Sequence, residues 1–172
     1  MSGFSRTGIH LSIEYLSFIA LSVVNAIDFS GYPDCTPAFF KAAADAGCMT
    51  MMTAYGSVDS VSVTTSHKWL TEILKEELGF DGFLVTDWEN FRSLYRGQKV
   101  AANMDEACIM GIEAGNDMSM NSPEFFDSLC KAAKEGKISM DRIDDAVYRI
   151  LHVKKRLGIL EVNTPEKLSK EI

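Results

Sequence analysis

The sequence predicts an α/β fold, a parallel sheet covered by helices, and three observations carry that expectation. Short apolar runs begin near Cys48, Gly82 and Asn116, 34 residues apart each time. Each is followed by a loop and then by a segment with helical apolar spacing. The runs are apolar almost throughout instead of alternating, as strands buried beneath helices are. Repeating βα units of this length suit a (β/α)8 barrel or an open doubly wound sheet. A barrel usually needs about 250 residues, and three strands cannot close one. The chain is therefore expected to hold either the open sheet or the back portion of a barrel.

The elements follow in order. Thr36-Pro37 reads as an N-cap with proline at the first helical position, and Gly47 closes the helix PAFFKAAADA. CMTMMTA (48–54) is the first strand, and the polar stretch 56–65 is a loop. Ser66 opens SHKWLTEILKEEL, where Trp69, Leu70, Ile73, Leu74 and Leu78 form one stripe before Gly79. GFLVTD (82–87) is the second strand, and a loop reaches to about Asn103. The helix MDEACIMGIEA stops at Gly115, and NDMSM (116–120) is the third strand. Ser122-Pro123 starts a helix that ends at Gly136. Ser139 caps the last one, in which Ile143, Ala146, Val147, Ile150, Val153 and Leu157 share a face.

Composition narrows the function classes. Of 172 residues, 47% are hydrophobic and 24% charged, which suits a globular domain with a real core. The net charge of -7 argues against a nucleic-acid partner, which needs a clustered positive face. The only basic cluster, Lys154-Lys155-Arg156, ends a helix, where cations complement the negative pole of its dipole. Cys35, Cys48, Cys108 and Cys130 are scattered without a C-x-x-C pair, so they read as small buried hydrophobes. The three histidines are equally dispersed, and no metal site is expected. Leu16 to Val24 loosely imitates a leader peptide, but Glu14, Ser17 and Ser22 break it up. It is also far short of the roughly 20 residues that span a bilayer. No membrane partner is expected, and a cytoplasmic location is slightly favoured over secretion.

The strongest local signal is GFDGFLVTDW (79–88), which sets Asp87 at the carboxyl tip of a buried parallel strand. Folds of this class place their active sites there. Trp88 can supply the flat apolar wall on which a sugar ring stacks. Asp87 as a simple cap of the following loop is the competing reading.

GFDGFLVTDW, AGNDMSM (114–120) and AVYRILHVKKRLGIL (146–160) together resemble glycoside hydrolase family 3. PAFFKAAADAG, MMTAYGSVDS, SHKWLTEILKEELGFDGF and NAIDFS (25–30) resemble the same family in order and spacing. The resemblance implies a partial (β/α)8 barrel over residues 24–161, between an unmatched extension (1–23) and a polar tail (162–172). It implies a β-glucosidase-like, retaining exo-β-glycosidase in which Asp87 is the nucleophile. Tyr55, Trp88 and Met52 fall at family positions near the sugar that is attacked. The implied partner is a β-linked glucoside or oligosaccharide, and the chemistry needs no cofactor. Asp117 is assigned to structure, holding neighbouring loops by hydrogen bonds.

Other family features have no match here. The acid/base of the family comes from outside this segment, and residues 1–23 lack its first strands, its substrate-binding arginine and aspartate and its Lys-His pair. Glu89 is the one local carboxylate considered as a substitute acid. The loop after Tyr55 carries Gly56, Asp59 and Ser60 where the family has asparagines and a glycine, and Ser62 where it has proline. The chain alone is therefore expected to lack full activity, and to need a complementary fragment or to self-associate. An inactive piece that completes a barrel with another chain is the alternative. A receiver-like phosphoacceptor role for Asp87 is disfavoured, because 116–120 holds no lysine.

Overall fold

The computed structural model describes residues 21–23 and 37–160. The polar tail, Cys35 and most of the leader-like stretch lie outside the described residues. Four strands form one sheet: β1 (Leu21–Val23), β2 (Thr50–Thr53), β5 (Phe83–Trp88) and β6 (Met118–Met120). All neighbours are parallel and the order is β1-β2-β5-β6. That order follows the chain without reversing, whereas a doubly wound sheet reverses at its switch point. The sheet is an arc of a barrel. β1 is a strand that the sequence reading did not assign.

Between the strands run α1 (Pro37–Asp45), a hairpin of β3 (Ser57–Val58) and β4 (Val61–Ser62), and the helix α2 (Lys68–Glu77). Then come α3 (Asn90–Arg96), α4 (Met104–Ala114), α5 (Phe125–Lys134) and α6 (Met140–Arg156). Two expected loops hold structure. The stretch 56–65 contains the hairpin, turned by Asp59 and Ser60 at φ +50° and +67°. Asn-Gly is the usual signal for such a turn, so Asp-Ser concealed it. The stretch 88–103 contains α3, whose Phe91 and Leu94 are fully buried. It lacks an ordinary N-cap, since the chain turns into it through Glu89.

Among the described residues, helices cover one face of the strands, as a partial barrel requires. Met51, Thr53, Leu84 and Thr86 are buried, while Thr50, Met52, Phe83, Val85 and Asp87 are half-buried on the alternate face. Met51 and Leu84 pack with Phe40, Val63, Leu70, Leu74 and Phe80 beneath the helices. Burial of each large apolar side chain there stabilises the fold by about 1.5–3 kcal/mol. On α6, Ala146 and Val153 are buried, but Val147 is exposed at the margin of the expected stripe.

α2 departs from regular winding. Its backbone N–H groups reach five residues back, as from Leu78 to the Ile73 carbonyl at 2.8 Å. Lys75, on this helix, is buried. The Lys75 ammonium donates to Asp117 Oδ1 at 2.9 Å, and Arg142 Nη2 donates to the same oxygen at 2.6 Å. Asp117 Oδ2 accepts the Leu84 N–H at 2.8 Å. Arg142 also donates to the Ile112 and Asn116 carbonyls, and Arg149 to those of Phe80 and Gly82. Asp117 and two arginines thus lock α2 and α6 onto the amino ends of β5 and β6.

Three outcomes are expected. Asp117→Ala leaves the buried Lys75 ammonium without its hydrogen-bonded carboxylate, takes one of two carboxylates from Arg142, and lowers stability by about 3–5 kcal/mol in denaturant unfolding. Burial, partly offset by Asp117, lowers the Lys75 ammonium to about 8. The unfolded chain keeps that proton up to its ordinary 10.5, so stability rises with pH between those values and is flat below them. Lys75→Met removes the slope. Gly111→Ala would set a β-carbon 2.1 Å from the Phe91 ring. It costs about 1–3 kcal/mol by overpacking, despite the better helix propensity of alanine.

Candidate active site

Parallel strands aim their carboxyl ends at one rim, and Tyr55, Asp87 and Trp88 meet there. Tyr55 lies just past β2, and Asp87 and Trp88 are the last residues of β5. The β5–β6 ladder shifts register between Val85 and Trp88. One extra residue on β5 is a bulge, a device that re-aims side chains beside active sites. Met120 N–H donates to Thr86 Oγ1 at 3.0 Å.

The Tyr55 hydroxyl donates to the Trp88 carbonyl. Asp87 Oδ1 accepts the Trp88 N–H at 2.6 Å. The Tyr55 phenol is raised above its ordinary value, first by burial, then by the negative charges of Asp87 and Glu89 and by hydrogen bonding to Asp87. Trp88 is 58% exposed, so its indole face is free to take a ligand. Met52 shares the uncovered sheet face with Asp87 but sits lower, paired with Val85. The structure therefore brings Tyr55, Asp87 and Trp88 together and leaves Met52 a row beneath them.

An open pocket of about 310 Å³ adjoins this group, lined by Tyr55, Trp88, Glu89, Arg92, Ser93 and Arg96. The last three sit on α3, which the sequence reading passed over as loop. Glu89 Oε1 accepts from Arg92 Nη1 at 2.5 Å and from Asn121 Nδ2 at 3.4 Å. A carboxylate so engaged is an acceptor, unsuited to the substitute acid role considered for it.

Beneath the rim, two fully buried asparagines hold the geometry. Asn90 Nδ2 donates to Thr64 Oγ1 at 2.7 Å and, at longer range, to the Thr53 and Ala54 carbonyls. Asn116 accepts from Thr53 Oγ1 at 2.9 Å and donates to the Thr64 and Gly111 carbonyls. These bonds tie the end of β2 to α3 and α4, which sets Tyr55 opposite Asp87. Only spatial proximity identifies them, because their partners lie up to 63 residues away. A second cavity, of about 350 Å³, includes Lys75, Arg142 and Arg149. Their hydrogen bonds are spent on Asp117, Asp145 and backbone carbonyls, so it belongs to the structural lock.

Comparison with known proteins bears on the family and the fold. Residues 34–153 match the family described as the glycosyl hydrolase family 3 N terminal domain. The chain is 38% identical over 125 residues to a lysosomal beta glucosidase of Dictyostelium discoideum, covering 72% of this chain and 15% of that protein. It is 32% identical over 138 residues to a periplasmic beta-glucosidase of Salmonella typhimurium, covering 78% and 18%. A beta-glucosidase from Listeria innocua solved in complex with glucose superposes with a TM-score of 0.68 at 31% identity, covering 77% and 20%. The chain thus spans a fifth or less of each of these proteins. A partial barrel, the matched family domain and these relatives concur, and the chain belongs to glycosyl hydrolase family 3.

Proposed function

We propose that this chain carries the nucleophile-bearing part of a retaining β-glucosidase-like site, with Asp87 as the nucleophile and Tyr55, Trp88 and Met52 around the sugar. The observation that supports it most is the meeting of Asp87, Tyr55 and Trp88 at the carboxyl rim of the arc. The Asp87 carboxylate attacks the anomeric carbon, and the glycosidic bond breaks with its electron pair on the leaving oxygen. An acid outside this segment protonates that oxygen. Water then displaces the carboxylate from the glycosyl ester, giving its proton to the same group, now a base. Two inversions retain the configuration. Tyr55 holds the Trp88 carbonyl and lies beside Asp87, while the Trp88 indole offers its face to the sugar C–H bonds.

The uncovered row of Met52, Phe83, Val85, Met118 and Met120 supports the companion reading, that another barrel portion covers this face. The substrate proposed is a β-linked glucoside or short oligosaccharide.

The test is covalent trapping. The full chain, alone and mixed with the complementary barrel portion of a relative, is incubated with a 2-deoxy-2-fluoro-β-glucoside bearing a dinitrophenyl leaving group. One fluoroglucosyl group on Asp87, found by peptide mass spectrometry and lost in Asp87→Asn, is the expected result. With the portion bearing the acid present, Asp87→Asn lowers hydrolysis of an aryl glucoside by at least 10³-fold, on the order of 4 kcal/mol. Label on another carboxylate, or none under either condition, overturns the assignment. Label appearing only in the mixture identifies the chain as the subunit of a completed barrel.

A further inference from the structure

Glu89 and Asn121 leave neighbouring strands, β5 and β6, and both are left-handed, at φ +49° and +52°. Asparagine adopts this conformation readily, but for a glutamate it is unfavourable and persists where surrounding bonds over-determine it. Those bonds are present. The Glu89 N–H donates to the Met120 carbonyl at 3.0 Å, and the Glu89 carbonyl accepts the Ser93 N–H at 3.0 Å. Its carboxylate accepts from Arg92 and Asn121, and Arg92 Nη2 donates to both Glu124 oxygens at 2.8 and 2.9 Å. The Glu89 carboxylate therefore joins the end of β5 to the end of β6 and the first turn of α3, and Arg92 carries the link on to the residue that precedes α5.

The peptide unit between Trp88 and Glu89 is held from both sides. Its carbonyl accepts from Tyr55, and its N–H donates to Met120. The indole of Trp88 leaves the chain beside this clamped peptide and lines the pocket. Glycine would adopt the left-handed turn without strain, so a glutamate there has another use. We propose that Glu89 is a positioning residue. Its carboxylate clasps the ends of β5 and β6 and so holds the Trp88 indole against the pocket in the orientation a sugar face requires. The assignment rests on the reading of Trp88 as the sugar wall given above. Glu89 itself takes no part in proton transfer.

The chain has two tryptophans, and Trp69→Phe leaves Trp88 as the only one, excited selectively at the red edge where tyrosine does not absorb. In that background Glu89→Gly, Glu89→Gln and Asn121→Gly are compared in the full chain by thermal melting, acrylamide quenching and titration with glucono-1,5-lactone. Glu89→Gly is expected to melt at or above the parent, because glycine suits the turn. Its Trp88 is nevertheless quenched at least twofold more readily, and the lactone binds at least fivefold more weakly. Glu89→Gln keeps a carbonyl acceptor for Arg92 and Asn121 and restores both readouts to within twofold. Asn121→Gly removes the other half of the clasp and loosens Trp88 in the same direction. Unchanged quenching in both glycine variants, or a glutamine variant as loose as glycine, overturns the clasp. Lactone binding by none of the proteins, with the quenching pattern as expected, counts against the sugar site and leaves the clasp standing.

Discussion

Asp117 is the interaction on which the remaining structure depends. One buried carboxylate receives two cations from different helices and a backbone N–H from the central strand. A charge taken out of water is tolerable only when hydrogen bonds replace its hydration. The ammonium of Lys75 and the guanidinium of Arg142 do so, and Arg142 spends its other donors on nearby carbonyls. The result is directional. Apolar packing alone would let α2 and α6 slide on the sheet, whereas this set of bonds admits one arrangement.

That lock sits at the amino end of β5, and the proposed nucleophile, Asp87, sits at the carboxyl end of the same strand. The separation is physical. Backbone groups at the amino ends can be satisfied by long cationic side chains from the covering helices, which closes that rim. At the other rim the strand ends are tied by short polar side chains, Thr53, Thr64, Asn90 and Asn116, beneath the surface. Short tethers leave the rim open, so Tyr55 and Trp88 line a pocket next to Asp87 while their backbones stay fixed. The bulge between Val85 and Trp88 adds the last adjustment, because it changes which way the final residues of β5 face.

Much of this was legible from residues alone. The 34-residue recurrence marked three of the sheet strands, and Asp87 at a strand tip was visible in GFLVTD. The caps at Asn103 and Ser139 and the stop at Gly115 also lie where short polar residues and glycine put them. What escaped had physical reasons. α3 begins at a left-handed glutamate, which no capping pattern announces. The hairpin turns on Asp59-Ser60, a pair with weak turn preference. Lys75 is buried against Asp117, a partner 42 residues away that no local pattern announces.

By itself, the sequence determined the alternation of strand and helix and the identity of the residues at each strand tip. Those features follow from apolar spacing, caps and chain reversals within a few residues, and local chemistry suffices for them. Only the tertiary structure decided that the described helices cover one face of the sheet, that Asp117 receives Lys75 and Arg142, and that Tyr55 reaches the Trp88 carbonyl. These depend on groups 25 to 42 residues apart meeting in space. Their energy comes from burial and mutual orientation, which exist only once the strands are side by side.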